Sequence, residues 1–221
     1  MLHSNEALLE LAKRFPDADP DWEKIFNKLS EENITSALND DACFRGIIGE
    51  IHAQIRLEDI CAELGFNADF SPLNDPLIRT ANFEFNYARF GRTIVVDRST
   101  QLVYSDLDVV FVIEGLPVLV EVKLNKRFKQ GGGKRANPSH KGISYAISPG
   151  RVSQALEPVK EYFRQKYIKE NDGSYGYALV TYPSIINDTS QKQRQFRELG
   201  GIFIPFYADH ERYLNDFSLF M

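Results

Sequence analysis

An α/β fold, with a mixed β-sheet core flanked by helices and a small helical appendage at the N-terminus, is what the pattern of apolar residues predicts. Three observations carry that expectation. An apolar stripe at helical spacing runs from about residue 40 to 64. Extended segments rich in Val and Phe fill about 82–124, and helical and extended segments then alternate to about 207. At 221 residues, 43% hydrophobic and 26% charged, the chain is long enough for one sizeable core of ordinary composition.

The elements follow in order. Residues 4–14 and 20–31 read as two short helices. Asp19 offers an N-cap and Pro20 the first helical position, and Trp22, Ile25, Phe26 and Leu29 recur at helical spacing. These make the appendage, residues 1–36, and the main domain is expected over 37–221. A longer helix from about Asp40 to Leu64 stops at Gly65, a residue that readily closes a helix. Residues 66–81, with Pro72 and Pro76, read as a connecting loop. Extended segments are expected at 82–90, where Phe83, Phe85 and Tyr87 alternate, and at 93–98, 102–113 and 117–124. Residues 125–148, with Gly131-Gly132-Gly133 amid basic side chains, read as a long loop. A helix over about 150–169 (kinked or restarted near Pro158) is followed by a strand over Tyr175–Tyr182. A helix over 189–199, ending at Gly200-Gly201, and a last strand over Ile202–Tyr207 complete the order.

Composition excludes several classes. No stretch approaches the roughly 18 uninterrupted apolar residues of a membrane helix. The start, Met1-Leu2-His3-Ser4-Asn5-Glu6, has neither the basic nor the apolar part of a signal peptide, so no membrane and a cytoplasmic location are expected. Cys43 and Cys61 fall within one predicted helix, roughly 27 Å apart by helical rise, too far for a disulfide. Neither they nor His3, His52, His140 and His210 form a zinc-binding cluster. Gly132-Gly133-Lys134 lacks the spacing of a phosphate-binding P-loop. The net charge is −5, yet between Lys123 and Glu170 twelve basic residues face three acidic ones. Such asymmetry suits one face to phosphate; a solvated surface is the plainer alternative.

Periodicity then gathers acids. Along 102–113, Asp106, Asp108, Val110 and Val112 share one face; along 117–124, Leu119, Glu121 and Lys123 do. If Glu114-Gly115 form a two-residue turn, Asp108 sits across from Glu121 and Asp106 across from Lys123; a longer turn shifts the pairing by two and keeps all four on one face. In the two-residue register Pro117 falls at a non-hydrogen-bonded pair with Val112. Two carboxylates about 5 Å apart repel by roughly 3 kcal/mol at an effective dielectric near 20. One lysine does not offset three such charges; a divalent cation does, and an all-oxygen set points to Mg²⁺ or Mn²⁺. The helix over 40–64 adds a fourth acid, because Cys43, Ile47, Glu50, Gln54, Leu57, Cys61 and Leu64 form its stripe and Glu50 is the charged member. Gly46 and Gly49 beside it let helix and sheet approach. An ion pair with an arginine is the plainer use of Glu50.

Glu50, Asp108 and Glu121-Val122-Lys123 together resemble the PD-(D/E)XK nuclease superfamily. The resemblance covers about two-thirds of the chain, and implies a restriction-endonuclease-like core of helix, three antiparallel strands, helix and strand. It implies Asp108, Glu121 and the Val122 carbonyl as metal ligands, Lys123 as the motif lysine and Glu50 as the acid of the first helix. The proline of the motif is absent: Leu107 precedes Asp108 and Ser105 precedes Asp106, and Asp106 stays a second candidate for the motif aspartate. Chemically, Glu50 would help hold a second metal or the attacking water. Lys123 would orient that water or take its proton. Gln154 resembles a polar helix residue that some members place beside the site; a solvent-facing glutamine is the alternative.

The expected activity is Mg²⁺-dependent hydrolysis of DNA phosphodiester bonds, endonucleolytic and of restriction or resolvase type. Lys126, Arg127, Lys129, Lys134, Arg135, Lys141 and Arg151 are the expected nucleic-acid contacts, and a homodimer is implied because many members cut two strands as dimers. RNA as substrate, and a non-catalytic nucleic-acid-binding or assembly protein on the same fold, are the alternatives.

Overall fold

The computed structural model describes residues 2–15, 21–29, 41–73, 80–87, 93–124, 143–166, 173–183, 186 and 190–206. Among these, the helices are α1 (Leu2–Arg14), α2 (Trp22–Lys28), α3 (Asp41–Leu64), α4 (Pro149–Lys166) and α5 (Gln191–Glu198). The strands are β1 (Ala68–Asp69), β2 (Phe83–Tyr87), β3 (Thr93–Asp97), β4 (Val103–Leu107), β5 (Val109–Ile113), β6 (Leu116–Lys123), β7 (Gly176–Thr181) and β8 (Ile202–Pro205). The larger sheet runs β1-β5-β6-β7-β8. It is mixed: β5 and β6 are antiparallel, and β6, β7 and β8 are parallel.

The stretch expected as one strand over 102–113 is two. It bends at Asp108, so that β4 joins β2 and β3 in a separate antiparallel sheet while β5 pairs with β6. Burial explains the division. Val109–Ile113 is a continuous apolar run, nearly all buried, as suits a sheet covered on both faces. Val103–Leu107 alternates between exposed and buried, as suits a sheet covered on one face. The hairpin after β5 has the expected register, with Val112 opposite Pro117 and Ile113 opposite Leu116. Its turn residues Glu114 and Gly115 have φ of 48° and 79°, the two positive values of a tight two-residue hairpin turn. Glu114 is held there as its carboxylate accepts the Asn67 N–H at 2.7 Å.

Helix α3 closes as its glycine foretold. Gly65 has φ +68°, its N–H donates to Ala62 O at 3.2 Å, and Phe66 N–H donates to Cys61 O at 2.9 Å. Cys61 is free and buried, and burial pushes its thiol up to about 11. Helix α4 begins with proline in its first position, where no N–H is missed, and runs on through the buried Pro158. Two expectations are corrected. The N-cap of α2 is Asp21, which accepts from Lys24 N at 3.0 Å; Asp19 and Pro20 lie outside the described residues. Residues 66–81 are more than a connection, because β1 within them pairs with β5.

The N-terminal helices share the main core. Ala7, Leu8, Leu11, Phe15 and Ile25 belong to one apolar cluster with Phe111, Val118, Val120 and Ala178. A Cβ on Gly176 would meet Leu8 Cδ2 at 3.0 Å, so α1 lies against β7. The expected boundary at residue 36 falls outside the described residues. Among the described residues no helix is long and apolar enough to cross a membrane.

Candidate functional site

The bend at Asp108 leaves its carboxylate, rather than a strand carbonyl, to accept the Val122 N–H at 2.8 Å. That bond fixes the side chain against β6. The same oxygen, Oδ2, accepts from Lys123 Nζ at 2.9 Å, and Lys123 Nζ lies 2.7 Å from Glu121 Oε2. Glu121 and Lys123, two apart on β6, therefore share a face, and the two carboxylates converge on one nitrogen. Asp108 and Glu121 are both nearly fully buried, while the Lys123 side chain keeps 32% of its surface.

Arg151 completes the charge balance. Its Nη2 donates to Glu121 Oε1 at 2.9 Å and to Asp106 Oδ1 at 3.1 Å; its Nη1 donates to Ser105 Oγ at 2.8 Å. Asp106 is exposed and paired with Arg151, whereas Asp108 is the aspartate that meets Glu121 across Lys123. Burial raises Glu121 above the usual carboxylate range; Lys123 counters it, and Asp108 adds to it. Burial works against a charged Lys123, but Asp108 and Glu121 outweigh it and hold the ammonium above its ordinary value. The two carboxylates thus hold Lys123 in its charged form.

Glu50 is buried on α3. A Cβ on its neighbour Gly49 would lie 2.6 Å from Leu124 Cδ1, so this turn of the helix abuts the residue that follows Lys123. Gly46 belongs to the first turns of the helix, residues 41–46, whose side-chain surroundings are not described. Among the described residues no three His, Cys, Asp or Glu gather as a metal-ligand group, so the expected convergence of three or four carboxylates is corrected to a pair, Asp108 and Glu121. Asp106 belongs to the strand that leaves for the smaller sheet, and its carboxylate is paired there with Arg151.

Gln154 donates from Nε2 to Tyr104 O at 2.9 Å and fastens α4 to β4. Arg151, expected among nucleic-acid contacts, is instead 8% exposed and turned inward. Lys126, Arg127, Lys129, Lys134, Arg135 and Lys141 lie outside the described residues. Ser105 and the inward role of Arg151 were missed. The signal for Arg151 was present, since Arg151, Ala155 and Val159 recur every four residues on the buried side of α4, the same kind of stripe that exposed Glu50.

The donor chemistry fits a hard divalent cation in part. Two carboxylates meet at one point of positive charge. The N–H and C=O of a strand residue point to one side, so the Val122 carbonyl faces the Asp108 side as its N–H does. Comparison of the chain with protein-family models, with curated proteins and with solved structures returns no match.

Proposed function

We propose that the chain is a divalent-cation-dependent deoxyribonuclease on the PD-(D/E)XK pattern, cutting internal phosphodiester bonds as restriction and junction-resolving enzymes do. One observation carries the reading: Asp108 and Glu121, buried on adjoining segments, converge on the lysine of a Glu-Val-Lys triplet. The chain order of α3, antiparallel strands, α4 and the parallel β7 supports a restriction-endonuclease-like core. In this reading Asp108, Glu121 and the Val122 carbonyl hold Mg²⁺ or Mn²⁺, with Glu50 nearby on α3. The cation supplies polarisation of a phosphate oxygen and a more acidic water. Lys123, which the cation would displace from the two carboxylates, would then orient the attacking water or take its proton. The Val122 N–H holds Asp108 in its rotamer, and the basic residues between Lys126 and Lys141 draw in the DNA backbone. A homodimer would present two such sites to the two strands.

A second reading is favoured by the ion pairs themselves. Lys123 and Arg151 already neutralise Glu121, as they would in a non-catalytic nucleic-acid-binding or assembly protein. Supercoiled, linear, single-stranded and branched DNA, with RNA alongside, are incubated with the full chain in Mg²⁺, Mn²⁺ or EDTA. The nuclease reading expects cleavage that EDTA abolishes and that Glu121→Ala and Lys123→Ala each reduce at least about a hundredfold. Binding without cleavage in either metal would favour the second reading, and cleavage of RNA alone would change the substrate. Cleavage indifferent to both variants would remove this site from the chemistry.

A further inference from the structure

Arg151 is spent entirely inside the protein. Its guanidinium reaches three residues on two different sheets: Ser105 and Asp106 at the end of β4, and Glu121 on β6. Nη2 also donates to the main-chain carbonyl of Asp106 at 3.1 Å. A planar fork with fixed donors is held by three of these acceptors on one side, and its remaining reach is directed at Glu121 Oε1. Seating an arginine at 8% exposure is costly unless its charge is met, and here two carboxylates, a carbonyl and a hydroxyl face it. A cation needed only to dock α4 on β4 has no reason to extend to β6. That docking is already made lower on the same helix, where Gln154 holds Tyr104 O and Glu161 accepts Asn82 N and Nδ2, each at 2.9 Å.

We propose that Arg151 is a positioning residue for the cation site: anchored by Ser105 and Asp106, it holds Glu121 by Oε1 and leaves Oε2 facing Asp108 as the oxygen offered to a divalent ion. The proposal rests on the cation-binding reading above. It assigns Asp106 a place that the motif alone left open, as the counter-charge of Arg151 rather than a ligand. It also explains why the arginine is not a competitor for the ion. Its charge is shared with Asp106, while Lys123, the group on Oε2, is the one that must yield. Hydrogen bonds that orient a ligating carboxylate are commonly worth ten- to a hundredfold in metal affinity.

The test is direct binding of Mn²⁺ alone to the full chain, followed by calorimetry and by the loss of free-ion paramagnetic signal, with no nucleic acid present. Arg151→Lys keeps the charge and loses the fork, so it is expected to weaken Mn²⁺ about tenfold. Ser105→Ala removes one anchor and is expected to weaken it less, in the same direction; it serves where Arg151→Lys does not fold. Glu161→Ala loosens the same helix from the small sheet without touching the carboxylates, and is expected to lower the melting temperature while leaving Mn²⁺ affinity unchanged. Wild-type affinity in both Arg151→Lys and Ser105→Ala would overturn the assignment and leave the cation site standing. So would a loss in Glu161→Ala as large as that in Arg151→Lys, since the effect would then be one of docking. Absence of Mn²⁺ binding to the wild-type chain would remove the cation reading and the positioning role together.

Discussion

Glu121 is buried between two cations and one anion, and burial is the strongest influence on its proton. Its carboxyl is held above the ordinary value of 4.5, so between 4.5 and that raised value the folded chain binds a proton that the unfolded chain releases. The contribution to stability is therefore full below 4.5 and is lost as the pH rises through the raised value. Cation binding needs the ionised form and moves the other way, weakening as the pH falls through the same window. Two measurements on one sample are thus expected to diverge. As the pH falls through the raised value toward 4.5, Mn²⁺ affinity falls while the metal-free chain gains resistance to urea from this residue. Glu121→Gln should flatten the second trend. A metal-free stability that drops equally in wild type and Glu121→Gln over that range would show that the proton goes elsewhere. At this scale the motif residues were legible, because two-residue alternation puts Asp108, Glu121 and Lys123 on one face whichever turn joins the strands. Their partners were not, because Arg151 comes from a helix some thirty residues on and no local pattern names its target.

Helix α3 and strand β6 are set close by Gly49, and this contact can be weighed. A Cβ at that position already falls 2.6 Å from Leu124 Cδ1, and Leu124 is buried. Gly49→Ala gains about 1 kcal/mol of helix propensity, which offsets much of the cost of turning the Leu124 tip aside. Gly49→Val adds two methyl groups beyond that point and no comparable gain. It is expected to cost about 3 kcal/mol in urea denaturation and to weaken Mn²⁺ binding by lifting the Glu50 turn from the end of β6. An unchanged midpoint in Gly49→Val would mean that the helix is not seated through this glycine. The element itself was legible for the reasons that make it work: a stripe at spacings of three and four, and a glycine that ends it. The split of 102–113 was not, since alternation continues in phase through a bend. Asp106 and Asp108 keep the same parity whether the strand is whole or broken, and only the long-range choice between β3 and β6 as partner distinguishes the two.

For the molecule as a whole, the sequence divides the chain by charge and by helical acidity, whereas the structure joins it by apolar burial. Helices α1 and α2 look separable because their outer faces are polar and two prolines, Pro16 and Pro20, lie between them. Their inner faces carry Leu8, Leu11, Phe15 and Ile25, each at most 2% exposed. Phe15 lies 5.9 Å, ring to ring, from Phe206, which follows β8, and Arg56 of α3 donates to Arg14 O at 3.0 Å. Lys24 and Lys28 pair with Asp59 and Glu58 on α3, but exposed pairs of this kind contribute little, under about 1 kcal/mol. The attachment therefore rests on the apolar side chains. Leu11→Ala, at a position with no exposure, is expected to cost about 3 kcal/mol of global stability in urea, whereas Lys24→Ala is expected to cost under about 1 kcal/mol. Because β5, β6 and β7 lean on the same core that α1 completes, that loss should appear as one cooperative transition, with Mn²⁺ binding and secondary structure disappearing together. A biphasic transition, with the first phase leaving Mn²⁺ affinity intact, would instead give the N-terminal helices the independence that their sequence suggests.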